Sequence, residues 1–171
     1  LPTRMGNTIK AAENYGIAAY QMDLPFWWPR LWTLLPEDRQ VQVQDALTGL
    51  ITVLNLTILL AYVGLDGAVF LVRVVPGWSK LWALGYAAGC WVLAWLGYEG
   101  AVVQARSYGE RLRATVDLHR FALIEALHVR LPTTPLDERV TWSWLKEWLY
   151  DGVKGPAFAK RYEHTAAKGD E

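Results

Sequence analysis

Cysteine occurs once in the 171 residues, at Cys90, so no internal disulfide can form, and Cys90, His119, His128 and His164 show none of the close spacings that a zinc site requires. Net charge is lacking too: seventeen basic residues balance seventeen acidic ones and leave no bulk field to draw in nucleic acid. No Gly-rich phosphate loop, nucleophile elbow or HExxH motif is present. Asp117, His119 and Glu125 lie close in sequence, but on a helix 117 and 119 point to different sides and 125 is two turns on. They read as a solvated charged face. Neither a cofactor, a metal nor a catalytic residue is expected.

Lysine and arginine are missing from two long runs. Ala46–Val72 carries one carboxylate, Asp66, and Leu81–Ala105 carries one, Glu99. A bilayer span needs about 20 apolar residues, so each run is long enough to cross, and the break at Arg73, Pro76, Gly77, Trp78 and Lys80 makes them a transmembrane hairpin. What the chain has in excess fits that setting: ten Trp and eight Tyr, rings that favour the membrane–water boundary. Basic residues retained in the cytoplasm orient membrane proteins. Arg30 and Arg39 precede the first run, and Arg106, Arg111, Arg113 and Arg120 follow the second, which places both polar ends on the cytoplasmic side.

Outside the hairpin the spacing predicts helices near 7–16, capped by Asn7, and near 135–151, with Thr134 as N-cap, Pro135 at the first position, Asp137 three residues after the cap and Gly152 past the end. Pro36 opens the first spanning helix, over 36–71. The second runs without a breaker from 79 to about Val129. Leu136, Val140, Trp144 and Trp148 fall at four-residue intervals and predict an apolar stripe buried against Leu123 and Leu127. In MDLPFWWPRLWTLLP the prolines on both sides of Phe26, Trp27 and Trp28 argue for a loop with short helical turns. Trp27, Trp28, Arg30 and Trp32 are its candidate interfacial residues, with packing on the neighbouring helices as an equal alternative.

Gly85 and Gly89 form a GxxxG pair on a row of small residues that continues to Gly97, and Gly85, Gly89 and Gly97 are the expected sites of the tightest helix contact. With a turn near Pro76, antiparallel counting brings Glu99 level with Thr52 to Asn55, so Thr52, Asn55 and Glu99 form a candidate polar intramembrane cluster, with snorkelling of Glu99 beside Arg106 as the alternative.

The motifs PTRMGN and KAAENY, WPRLWTLLP, the hairpin, SYGERLRATVDLHRFALIEAL and LPTTPLDERVTWSWL together resemble a family of bacterial multi-pass membrane proteins of unassigned function, over nearly the whole chain up to Tyr150. That family has a Tyr-Gly-x-Asp stretch before its Trp-Pro-Arg-Leu; here Gln21 in AYQMD replaces the Gly, and Pro25 interrupts the segment before Trp27. The resemblance implies further spans upstream, in keeping with Leu1 where an initiator Met would stand, and it implies no activity.

The expectation is an all-α membrane protein: an interfacial N-terminal segment (1–45), a two-span transmembrane helical hairpin (46–105), cytoplasmic amphipathic helices (106–151) and a flexible tail (152–171). Its place is the bacterial inner membrane. The function that fits is a non-enzymatic membrane subunit or scaffold, with membrane lipid and other membrane protein subunits, or further copies of itself, as partners. An oligomeric small channel or transporter component using Asn55 and Glu99 is the alternative.

Overall fold

A computed structural model describes residues 3–74 and 80–152; the hairpin tip and the tail expected beyond Gly152 lie outside the described residues. Among those described the chain is all-α: α1 (Arg4–Glu13), α2 (Tyr15–Tyr20), α3 (Leu24–Leu34), α4 (Glu37–Val74), α5 (Lys80–Ala126) and α6 (Pro135–Asp151). Two compact units result. Residues up to Ile9 join Gln42–Tyr108 in a hairpin unit, and Lys10–Val41 join the residues from Gly109 on in a second helical unit. The N-terminal 45 residues, expected as one segment, are thus shared between the two.

In the hairpin unit α4 and the first half of α5 are long and apolar enough to cross a membrane, with mean hydropathies of 2.0 and 1.3 over their most apolar stretches. Only 6% and 11% of those stretches is buried inside the chain, whereas core helices of a water-soluble domain are mostly covered. The outward faces carry Leu56, Ile58, Leu65, Trp82, Trp91 and Trp95, all more than half exposed. Such faces suit hydrocarbon rather than water.

The two helices meet along a narrow seam. On α4, Leu50, Val53, Thr57, Leu60, Gly64, Gly67 and Leu71 recur at alternating steps of three and four and are buried or half-buried. On α5, Ala83, Ala87, Cys90, Ala94, Gly97, Ala101 and Ala105 face them. Nearly every residue of the second row is small, so the backbones approach closely. A β-carbon on Gly64 would stand 2.6 Å from Cys90 Cβ, one on Gly97 2.5 Å from Thr57 Oγ1, and one on Gly67 2.5 Å from the Tyr86 ring. Those pairs are all centred near residue 77, which is the register that a turn near Pro76 requires.

The second unit has a core of its own, in which Met22, Trp27, Leu31, Val116, Ile124, Trp142 and Leu145 are fully buried. The expectation of a loop at 22–36 is corrected here. Pro25 sits in the first turn of α3, where no N–H is needed, and Pro29 lies inside it with a ring φ already suited to a helix. Burial of Leu24, Trp27 and Leu31 on one side outweighs the hydrogen bond that Pro29 removes. The start of α1 is also corrected: it begins at Arg4, with the Thr3 hydroxyl accepting from Gly6 N–H at 3.0 Å, and Asn7 is an exposed helix residue. α1 ends at Glu13, and Gly16 belongs to α2, where a β-carbon would meet Met22 O at 2.6 Å.

α5 is continuous through 100–112, as its lack of breakers predicts, and stops at Ala126 rather than Val129. Its end is a Schellman arrangement: His128 takes the left-handed conformation (φ 55°), His128 N–H donates to Glu125 O and Val129 N–H to Ile124 O. α6 has the ends read from sequence, with Thr134 Oγ1 accepting from Asp137 N–H at 3.1 Å and Gly152 left-handed after the last turn. Its buried side differs from the expected one. Trp142 and Leu145 enter the core, Trp144 and Trp148 stack half-buried at 6.3 Å, and Leu136 and Val140 are exposed. The i, i+4 row ranked Leu136 and Val140 with the tryptophans, but a row one step further round carries Glu138, Thr141, Trp142 and Leu145, and the larger Trp142 decides which side turns inward.

Candidate functional site

The candidate polar cluster is not assembled. Glu99 is level with Thr52 to Asn55, as counted, yet its carboxylate is taken by Arg4, whose Nη1 lies 2.7 Å from Oε1. α1 brings Arg4 there because Met5 and Ile9 pack on Leu50, Ala101 and Ala105, laying the start of that helix along the hairpin. An isolated carboxylate in an apolar span is costly, and an arginine from another helix neutralises it in place. Thr52 and Asn55 are exposed on the far side of α4 from the seam. Neither Arg4 as partner nor the role of α1 was legible, because the two residues are 95 positions apart.

Of the predicted helix-contact residues, Gly97 alone lies in the tight seam. A β-carbon on Gly85 or Gly89 would meet nothing within 4 Å, so the GxxxG pair makes no close contact among the described residues. The reason is rotational. Gly85 and Gly89 sit on a row that diverges from the Ala83, Cys90, Gly97 seam, and Gly64 and Gly67 of α4 provide the close approach instead. A heptad count along α4 would have found them.

The tryptophans of α3 divide. Trp27 is a core residue, not an interfacial one: it is fully buried, with its ring 5.3 Å from that of Trp142. Trp28 and Trp32 are half-buried with centroids 5.6 Å apart. Arg30 is exposed, and its guanidinium lies 4.7 Å from the centre of the Phe26 ring. Its Nη1 donates to Phe26 O, so this arginine covers the core's edge.

Charged groups of the second unit are engaged in holding helices together. Tyr15 and Tyr20 both donate to the Asp117 carboxylate, at 3.0 and 2.8 Å. Burial, and then the hydrogen bonds with Tyr15 and Asp117, push the Tyr20 phenol pKa well above its ordinary value. Arg120 lies over the Tyr20 ring at 4.3 Å and pairs with the buried Glu138 at 2.7 Å. Lys146 Nζ reaches Asp23 Oδ2 at 2.5 Å. Among the described residues no three His, Cys, Asp or Glu side chains converge as a metal site would require.

What the second unit leaves open is a face of α6. Leu136 and Tyr150 are each 76% exposed and Val140 is 49% exposed. Beside them run two adjoining grooves. One, of about 450 Å³, is lined by Gln21, Arg139, Val140, Ser143, Trp144 and Glu147. The other, of about 350 Å³, is bounded by Ile17, Asp23, Lys146 and Tyr150. Apolar side chains flanked by both signs of charge form a surface that could receive a helix or a chain segment. Comparison of the chain with family models, with curated proteins and with solved structures finds no match.

Proposed function

We propose that the chain is a non-enzymatic membrane subunit or scaffold, anchored by the α4–α5 hairpin in the bacterial inner membrane with both polar ends cytoplasmic, which binds other membrane proteins through the exposed face of α6. The observation that carries this reading is the exposure of Leu136, Val140 and Tyr150 on a unit whose core is already filled by Trp27, Trp142 and Leu145. In water such a row is an association surface. Lipid covers the outward rings of the hairpin, and the Arg30, Trp28 and Trp32 group fits a boundary position.

The test is a photo-crosslinking residue placed at Val140 in intact membranes. A discrete membrane-protein adduct, lost on Leu136→Asp, supports the scaffold reading. Adducts with lipid alone reject it.

An oligomeric channel or transporter component is the second reading, favoured by the polar residues Thr48, Thr52, Asn55, Tyr62 and Asp66 on the outer side of α4. Glu99 does not join that face: it lies on α5, paired with Arg4. Ion flux from reconstituted protein separates the two readings.

A further inference from the structure

Between Ala46 and Val72 the polar side chains are Thr48, Thr52, Asn55, Thr57, Tyr62 and Asp66. Thr57 points into the hairpin seam, where its hydroxyl donates to Val53 O at 2.8 Å. The other five lie on one row. Asp45, Thr48, Thr52, Asn55, Leu59, Tyr62, Asp66, Val69 and Arg73 follow alternating steps of three and four, and every one of them is exposed. α4 therefore carries two heptad seams on opposite sides: an apolar and small one that packs on α5, and a polar one that nothing among the described residues covers.

A polar row facing hydrocarbon is costly, because lipid offers amides and hydroxyls no hydrogen bond, and a partner helix relieves the cost. Asn55 makes no hydrogen bond among the described residues. Its amide is self-complementary, carrying both donors and an acceptor, and so are the hydroxyls of Thr48 and Thr52. A single asparagine in a heptad seam fixes register by meeting its own counterpart in a parallel pair. Copies of one chain insert the same way round, so a two-fold axis along the membrane normal sets each residue of the row opposite itself. In that register Asp66 meets its own counterpart, a pair that two ionised carboxylates disfavour, and Tyr62 brings a phenol donor one layer away to offset it.

We propose that two copies of this chain associate in the membrane through the outer face of α4, parallel and in register, with Asn55 meeting its counterpart at the centre. This pairing does not depend on the docking face of α6, and it assigns the intramembrane contact to a row other than Gly85 and Gly89.

Disulfide trapping in the full chain tests it. With Cys90→Ala as background, single cysteines are placed at Thr48 and Tyr62 on the row and at Leu56 and Leu65 off it, and the protein is oxidised in vesicles at low protein-to-lipid ratio. Crosslinked dimers at 48 and 62, several-fold above those at 56 and 65, are expected. Asn55→Leu in the same backgrounds should weaken the pairing by about threefold to thirtyfold, read as lost crosslinking and as lost energy transfer between labelled copies. Equal crosslinking at all four positions, dimers at 56 or 65 without any at 48 or 62, or exclusive capture of a different protein at 62 overturns the proposal.

Discussion

Arg4 Nη1 stands 2.7 Å from Glu99 Oε1, joining a helix at the start of the described chain to a carboxylate inside the apolar run of α5. The pair joins two helices at the polar end of that run, where an unpaired carboxylate is costly. A double-mutant cycle with Arg4→Ala and Glu99→Gln should give a coupling of about 1 kcal/mol in favour of the pair. Losses that simply add, measured by unfolding in mixed micelles, would mean that the contact contributes nothing.

The glycines of the hairpin differ sharply in what they tolerate. Gly64→Val places a side chain 2.6 Å from Cys90 Cβ and should destabilise the hairpin by about 1 to 3 kcal/mol. Gly85→Ala puts a β-carbon where nothing among the described residues lies within 4 Å and should leave the chain at least as stable as before. Equal losses for the two variants would contradict the observed seam.

Gln21 ends α2 with φ 62°, a conformation that costs a residue with a side chain about 1 to 2 kcal/mol. Gln21→Gly should therefore stabilise the second unit, by about 0.5 to 1 kcal/mol once the extra freedom of Gly in the unfolded chain is deducted. Thermal unfolding measures it, and a lower midpoint would show that the Gln21 side chain contributes more than the strain takes away.

The raised pKa of the Tyr20 phenol gives a pH dependence with a definite sign. Below pH 10 the phenol is neutral in both folded and unfolded chains, and its contribution is fully present. Above pH 10 the unfolded chain loses this proton first, so stability falls with rising pH until the folded phenol also ionises. Tyr20→Phe should flatten that part of the profile. An unchanged alkaline slope in the variant would assign the fall to other groups.

The parts of the fold legible in sequence were those set by local chemistry. Missing lysine and arginine mark the two spans, and Thr134, Pro135 and Gly152 mark the ends of α6. What was not legible depended on long-range packing. Pro25 and Pro29 argue for a loop until Trp142 supplies the surface on which Trp27 and Leu31 can be buried. Glu99 could be placed at the right depth by counting along an antiparallel pair, but the count says nothing of a third helix, and Arg4 arrives on one. His128 closes α5 in a left-handed conformation that sequence reserves for Gly or Asn. The outer row of α4 was present in the sequence throughout; it becomes visible once the inner row is known and the two can be told apart.

The measurement that bears most directly on the two-span hairpin is sided labelling of single cysteines. Gln44 and Arg73 are exposed near opposite ends of the part of α4 that belongs to the hairpin, so in a Cys90→Ala background Gln44→Cys and Arg73→Cys report its two ends. With sealed vesicles whose cytoplasmic side faces out, a membrane-impermeant maleimide should label position 44 at once and position 73 only after detergent is added. Labelling of both positions from the same side of intact vesicles would contradict a hairpin that crosses the membrane.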